Sequence, residues 1–284
     1  MKRAALAGFV CYGASLLCCL PNSTGEQPEA QVESVQLFGK RGIALDGLLA
    51  LEIEKNTARL DRSHIKEAFS ELTRYNSYIL KGCTSSRHVD EALAKGLIVA
   101  ESNGALRAHS KKGALGPGQL MASTAAELGL KIDRFEDWRY HPESISSAIS
   151  YLDSLIERWD GDLVLGLAAY NAGPGRLAAM LRDASQASWS AFKEVLPAET
   201  VAFVIRVLSR AKLYSELGHE IESRPSFDEK LRNSINYQIK KGETLYGIAK
   251  VHGLKLHDIL ELNPQLKNPS TIKAGAKIRL PQKR

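Results

Sequence analysis

The sequence predicts a mainly α-helical body followed by a small α+β module at the C-terminus. Over most of the 284 residues, apolar side chains recur at helical spacing, and the alternating pattern of strands is absent. From Tyr237 onward the pattern becomes strand, helix, helix, strand. A composition of 44% hydrophobic and 25% charged residues suits a buried core of ordinary size.

The N-terminal segment has the pattern of a secretory signal. Two basic residues precede an apolar run through Leu20 that is shorter than a membrane-spanning helix requires. Small residues at the positions a signal peptidase prefers predict cleavage after Gly25, which gives a signal peptide over 1–25. The alternatives are cleavage before Cys18 or Cys19 with lipid attachment, or an uncleaved anchor. We therefore predict an exported protein of the periplasm or cell envelope that meets a membrane only through such an anchor or lipid.

Helical patterns follow one another through the body. The spacing of apolar residues predicts helices over 43–60, 63–80, 86–101, 123–130, 142–159, 162–173 and 197–217. Ser63 is the predicted N-cap of the second helix, Ser123 or Thr124 that of the fourth, and Gly129 its stop. Residues 26–82 form an N-terminal helical region to which the sequence assigns no role.

Glu101 lies on the apolar face of the third predicted helix, near its C-terminus. Leu93, Leu97 and Glu101 are spaced four apart, so they share one face. Burial and the unpaired carbonyls of the helix end both disfavour a carboxylate, which predicts a pKa raised to about 6, as a general acid requires. On position alone, a Glu that turns into solvent at a frayed helix end is the favoured alternative.

Glu101 and Ser102 open a Gly-rich loop without further acids. The matching residues of this loop are Ser110, Gly113, Ala114, Gly116, Gln119 and Met121, and a second motif, AAYNAGPG, begins at Ala168. Together these motifs resemble the soluble lytic transglycosylases, which cleave bacterial peptidoglycan, and the resemblance covers about residues 86–214. The chain departs from the usual family pattern at Pro117 (Leu), Gly118 (Met), Ser144 (Asn), Ala148 (Gly) and Phe203 (Tyr).

The resemblance implies a lysozyme-like helical domain over 83–217 in which Glu101 is the sole catalytic acid and base. Glu101 would protonate the oxygen between N-acetylmuramic acid and N-acetylglucosamine. It would then take the proton of the muramoyl C6 hydroxyl as that oxygen closes on C1, which leaves a 1,6-anhydro end. Residues that match substrate-binding positions of the family are Ser110, Gln119, Met121, Tyr170, Asn171 and Glu199.

Two other functions remain open at this stage. A muramidase of the same fold that uses water would need a second carboxylate, for which Asp133, Glu136 and Asp137 are candidates. A non-catalytic wall-binding protein is compatible with the altered loop at Pro117 and Gly118. The histidines and cysteines form no metal-ligand pattern, so we predict no metal and no cofactor.

A polar linker at 218–236 precedes the C-terminal module, which spans 237–282. Its marks are Gly242 to Leu245, Ile248–Ala249, Gly253, Leu262 to Pro264, and Gly275 before a final apolar strand. These marks resemble a LysM domain, and Thr244 is a good N-cap for its first helix. The resemblance implies a glycan-binding groove whose two loops contain Gly242, Glu243, Thr244 and Leu245, and Asn263, Pro264 and Leu266.

Charge is concentrated in this module. The whole chain has a formal charge of +6, and from Tyr237 onward ten Lys or Arg stand against three acids, a difference of +7. Such a charge suits nucleic acid and an anionic wall polymer equally. Because a glycan-binding module in an exported chain already accounts for it, we predict peptidoglycan glycan strands as the partner and no nucleic acid.

Overall fold

The computed structural model describes residues 39, 45–132, 137–182, 188–224, 226–264, 266 and 272–282. Within these residues the body is helical and the C-terminal module is a βααβ unit, as the sequence predicts. No helix in this part of the chain combines the length and apolarity needed to cross a membrane. The predicted signal segment over 1–25 lies outside the described residues.

Eleven α-helices make up the described part of the body and the segment that leads to the module. They are α1 (Gly47–Ala58), α2 (Arg62–Leu72), α3 (Asn76–Ser85), α4 (Glu91–Ser102), α5 (Ala122–Glu127), α6 (Glu143–Arg158), α7 (Leu163–Ala172), α8 (Pro174–Met180), α9 (Trp189–Val195), α10 (Ala198–Leu217) and α11 (Phe227–Arg232). Three short 3-10 turns of the described residues lie at Thr73–Tyr75, Trp138–Tyr140 and Gly218–Glu220.

The starts of two helices differ from the sequence prediction. Asp61, rather than Ser63, caps α2, because its carboxylate accepts a hydrogen bond from the His64 amide at 3.1 Å. Ser123 and Thr124 lie inside α5, which has no side-chain cap. The predicted second helix is also interrupted by a 3-10 turn, which divides it into α2 and α3.

Helices α4 and α10 pack antiparallel and form the largest helix-to-helix contact among the described residues of the body. The Glu91 carboxylate lies near the start of α4 and accepts a hydrogen bond at 2.7 Å from the hydroxyl of Tyr214, which lies near the end of α10. One turn further along α4, a Cβ added to Gly96 would lie 2.7 Å from the Ala211 amide nitrogen, so only glycine permits this approach. Continuing this register brings Glu101 beside the first half of α10.

The C-terminal module has a small core of its own. Its elements are β1 (Ser234–Gln238), α12 (Leu245–His252), α13 (Leu256–Leu262) and β2 (Lys277–Pro281). The two strands pair antiparallel, with Ser234 opposite Pro281 and Gln238 opposite Lys277. The first strand thus begins three residues before Tyr237, where the sequence pattern placed it.

The segment between body and module packs on the body. Phe227 of α11 is 1% exposed and belongs to the main core, and Asp228 accepts hydrogen bonds from Ser77 and Tyr78 at 2.7 and 3.0 Å. From the module, the buried carboxylate of Glu261 pairs with Arg74 of the body at 3.0 Å. These contacts hold the module against the body, while the proposed domain boundaries remain predictions.

Candidate active site

Glu101 is the second-last residue of α4 and is half-buried. Burial raises the pKa of its carboxyl from an ordinary value of 4.5 to about 8, and the charge of Arg206 on α10 opposes this rise only in part. Within the described part of the chain, no hydrogen bond or ion pair engages the carboxyl group. The group therefore keeps its proton at neutral pH and is free to donate it. The upward shift of the Glu101 pKa agrees with the sequence prediction, and its value of about 8 is higher than the predicted value.

The loop after α4 is shaped by backbone requirements. Gly116 has φ +79°, and a Cβ there would lie 1.8 Å from the carbonyl oxygen of Arg139, so no other residue fits. The Ser110 hydroxyl accepts a hydrogen bond from the Ala114 amide at 2.9 Å. Gln119 has φ +48°, and its side-chain amide donates to the Gly116 carbonyl at 2.8 Å. Ser110 and Gln119 thus stabilise the loop in this structure.

Gly118 of the loop lies against Ala148 of α6. A Cβ at Gly118 would lie 2.5 Å from the Cβ of Ala148 and 3.1 Å from the Tyr170 hydroxyl oxygen, so a larger residue would not fit here. The Ser102 hydroxyl donates to the Pro117 carbonyl at 2.9 Å, which ties this loop segment to the end of α4.

Tyr170 joins the loop to the helices around Glu101. Its hydroxyl donates to the Gly118 carbonyl at 2.7 Å, and its ring stacks on Phe203 with centroids 6.3 Å apart. Burial, aided by the nearby charge of Glu101, raises the pKa of Tyr170 well above its ordinary value. Tyr170 is therefore a neutral hydrogen-bond donor beside the acid.

A cavity of about 210 Å³ lies beside Tyr170. It is lined by Gln119, Leu120, Met121, Thr124, Tyr151, Tyr170, Asn171, Ala172, Gly173 and Pro174. Four of the predicted substrate-binding residues, Gln119, Met121, Tyr170 and Asn171, are thus brought together, and Met121 is 44% exposed there. Larger cavities of about 380 and 370 Å³ lie at the junction of body and module and contain none of these four.

Two other predicted substrate-binding residues lie apart from this cavity lining. Ser110 is used within the loop, and Glu199 is exposed at the start of α10, where it pairs with Lys112 at 3.2 Å. The residue after Glu199 links the helix to the cavity, because the Thr200 hydroxyl donates to the Asn171 side chain at 2.9 Å.

Asp137 is not a free second carboxylate. It is fully buried, and Arg139 binds it through Nε at 2.9 Å and Nη2 at 2.6 Å. The same guanidinium donates to the Gly113 and Leu120 carbonyls, so this pair holds the loop that precedes it. The other two candidates, at 133 and 136, lie outside the described residues.

Sequence reasoning missed several residues of this site. The sequence alone assigned no role to Arg206, Thr200, Tyr151 or the loop contact of Ser102, because their positions depend on how α4, α6 and α10 pack. The one available signal was a basic residue, Arg206, within the apolar run of α10.

In the C-terminal module, part of the predicted groove has structural roles. Thr244 caps α12 as predicted, accepting a hydrogen bond from the Gly247 amide at 3.0 Å. Leu245 is buried in the module core. Asn263 is fully buried, and its side chain bonds to the Ile259 and Arg279 backbones at 2.7 to 2.8 Å.

The remaining groove residues are closer to the surface. Glu243 accepts hydrogen bonds from the Tyr237 hydroxyl and the Lys240 amide, both at 2.7 Å, and Gly242 has φ +87° with open space around it. The Pro264 and Leu266 carbonyls accept from Arg107 of the body at 3.4 and 2.5 Å. The second groove loop therefore contacts the loop that follows the Glu101 helix.

Two family models match the chain, the Transglycosylase SLT domain over residues 79–192 and the LysM domain over residues 237–281. Residues 79–192 are thus similar to the SLT domain family, and residues 237–281 are similar to the LysM domain family. The SLT match contains Glu101, the loop and the Tyr170 cavity, and the LysM match contains the βααβ module. Glu199 and Arg206 lie beyond the SLT match, on the helix that packs against it.

The curated relatives match part of this chain and part of their own length. The soluble lytic murein transglycosylase of Salmonella typhimurium is 29% identical over 58% of this chain and 26% of its own length. The membrane-bound lytic murein transglycosylase D of Escherichia coli K12 is 27% identical over 70% of this chain and 44% of its own length. The chain thus spans less than half the length of either relative.

Solved structures similar to this chain include lytic transglycosylases. An inactive mutant of Slt from Pseudomonas aeruginosa is 24% identical, with a TM-score of 0.44 over 54% of this chain and 26% of that one. The 70 kDa soluble lytic transglycosylase of Escherichia coli is 23% identical, with a TM-score of 0.46 over 63% of this chain and 33% of that one.

Proposed function

We propose that this protein is an exported lytic transglycosylase that cleaves the bond between N-acetylmuramic acid and N-acetylglucosamine and leaves 1,6-anhydro ends. The observation that carries the proposal is Glu101, a carboxyl with a pKa of about 8 that lies beside Tyr170 at the head of the loop. The SLT match and the names of the relatives support the same reaction class.

The reaction needs one group that first gives and then takes a proton. Glu101 donates its proton to the glycosidic oxygen as the bond from C1 to that oxygen breaks. The resulting carboxylate accepts the C6 hydroxyl proton as O6 bonds to C1, which restores the neutral acid and consumes no water. The positive charge of Arg206 stabilises the carboxylate formed between the two steps.

The products of peptidoglycan digestion test this proposal. We expect mass spectrometry of muropeptides to give anhydro ends, one water lighter than the corresponding reducing ends. Reducing ends alone would indicate a muramidase that uses water. An absence of any cleavage, with binding retained, would indicate a wall-binding protein.

The pH dependence of the rate follows from the raised pKa of Glu101. Only the protonated carboxyl can donate, and its pKa is about 8, so activity should be constant through neutral pH and fall about tenfold per unit well above pH 8. The measurement is the pH profile of kcat/KM on soluble glycan. A rate that already falls between pH 5 and 6 would contradict the assignment of Glu101 as a buried acid.

We infer that the LysM domain retains the enzyme on glycan. Its net positive charge attracts an anionic wall, and a tethered module raises the local concentration of glycan at the candidate active site. The loops that contain Gly242, Glu243 and Thr244, and Pro264 and Leu266, remain its proposed binding surface. The proposed location is the periplasm or envelope, after removal of residues 1–25 or with a lipid at Cys18 or Cys19.

Removing the module should weaken attachment more than catalysis. Deletion from Tyr237 onward is expected to reduce pull-down by insoluble peptidoglycan about tenfold or more, because avidity is lost. Turnover of short soluble glycans should remain within about threefold, since Glu101 and the Tyr170 cavity lie elsewhere. Circular dichroism of the truncated protein controls for the loss of the contact between Arg74 and Glu261. Unchanged pull-down would count against the role of the module.

A further inference from the structure

Two arginines lie one turn apart on α10, and the charge of the first, Arg206, acts on the Glu101 carboxyl. Arg206 and Arg210 are both half-buried, and Arg210 donates from Nη1 to the Arg206 carbonyl at 3.3 Å. The buried Nε atoms of both side chains have no hydrogen-bond partner among the described residues. Both guanidiniums therefore have donors left to bind another group.

The two positive charges also lack a close counter-ion. Within the described part of the chain, no acidic side chain lies within ion-pair distance of either arginine. Burial, with the like charge of Arg206 added to it, lowers the pKa of Arg210 to about 10. By contrast Lys212, on the same helix, has two carboxylate partners, Glu54 at 3.0 Å and Glu216 at 3.3 Å. Two unpaired, partly desolvated cations cost stability unless an anion joins them.

The position of the pair connects it to the candidate active site. The Arg206 guanidinium lies over the Phe203 ring at 5.4 Å, and Phe203 stacks on Tyr170. The antiparallel register of α4 and α10 brings Glu101 beside this part of α10, and the charge of Arg206 reaches the Glu101 carboxyl without forming an ion pair. Arg210 lies one turn further from the acid.

We propose that Arg206 and Arg210 form an anion-binding site that takes a carboxylate of the peptide stem attached to the muramoyl residue of the substrate. This inference rests on the proposed function, because that function supplies the substrate. The glycan backbone becomes neutral once its lactyl group is amide-linked to a stem, so the stem provides the carboxylates. Guanidinium groups match a carboxylate through paired hydrogen bonds, which a neutral amide accepts more weakly.

Two matched substrates test the site. One is a soluble glycan of alternating N-acetylglucosamine and N-acetylmuramic acid with stems that keep their free carboxylates. The other is the same glycan after the carboxylates are converted to methyl amides. For the wild-type enzyme we expect KM to be about tenfold lower on the free-carboxylate glycan, the size of a charge-assisted hydrogen bond.

Arg210→Gln is the decisive variant, because Arg210 lies further from Glu101 than Arg206 does. It should raise KM on the free-carboxylate glycan most of the way to the value for the amidated glycan, because only one guanidinium then remains, with kcat changed less than KM. Arg210→Lys keeps a positive charge but loses the paired hydrogen bonds of the guanidinium, so it should retain part of the preference for the free-carboxylate glycan. Lys212→Gln removes a charge from the same helix and should retain the full preference.

The outcomes separate this inference from the proposed function. If wild-type enzyme cleaves both glycans with equal KM, or Arg210→Gln keeps the preference, the anion site is wrong while the proposed reaction stands. If neither glycan yields anhydro ends, the proposed function itself fails.

Discussion

Glu101→Gln should lower kcat for glycan cleavage by a factor of about 10² to 10⁴, the range supplied by a positioned general acid. The amide has nearly the same shape but no transferable acidic proton, so substrate binding should persist. The measurement is the release rate of anhydro muropeptides, compared with pull-down of the same variant by insoluble peptidoglycan. Glu194→Gln is the matched control, because Glu194 is an exposed carboxylate of α9. Cleavage that persists in the Glu101→Gln variant would show that Glu101 is not the catalytic acid.

The same variant should be more stable than the wild type at high pH. The pKa of Glu101 is about 8 in the folded protein against 4.5 ordinarily, so the folded state holds the proton more tightly. The contribution of this tighter proton binding to the free energy of unfolding is complete below pH 4.5 and is lost as pH rises toward 8. The melting temperature of the Gln variant should therefore exceed that of the wild type at pH 9 and approach it at pH 4. A constant difference across this range would show that the pKa is not raised.

Gly116→Ala is expected to destabilise the fold by about 3 kcal/mol or more and to abolish activity. The new methyl group would lie 1.8 Å from the backbone oxygen of Arg139, and the positive φ adds strain. Relief would require movement of the loop that Arg139 and Ser102 hold beside Glu101. Urea denaturation and the rate of glycan cleavage measure the two effects.

Gly113→Ala provides a matched control in the same loop. Gly113 has φ +87°, close to that of Gly116, but no atom lies within 4 Å of an added Cβ. Only the backbone strain applies, so a loss of about 1 to 2 kcal/mol is expected. Equal losses for the two variants would contradict the close approach of the loop to Arg139.

The sequence predicted those features that depend on local pattern. Spacing placed Glu101 on the apolar face of α4, and alternation separated the βααβ module from the helical body. Thr244 could be identified as a cap because it stands directly before an apolar periodic run. Short helices such as α8 and α9 were missed, since one or two turns provide too few periods to recognise.

Features that depend on packing could not be predicted. Asp137 was a candidate base in the sequence, and only the fold shows it enclosed with Arg139. The departure from the family pattern at Gly118 had no structural explanation in the sequence, and only the fold shows its close approach to Ala148. Asn263 matched a glycan-binding position, yet its amide is used by the module backbone. The roles of the predicted substrate-binding residues remain predictions.

The source of the oxygen atom in the product tests the central claim most directly. Purified glycan is digested in water enriched in heavy oxygen, and each new muramoyl end is weighed by mass spectrometry. Intramolecular closure promoted by Glu101 predicts anhydro ends that are one water lighter than reducing ends and contain no heavy oxygen. New reducing ends that carry heavy oxygen would show that water attacks C1, and that the protein is a hydrolase.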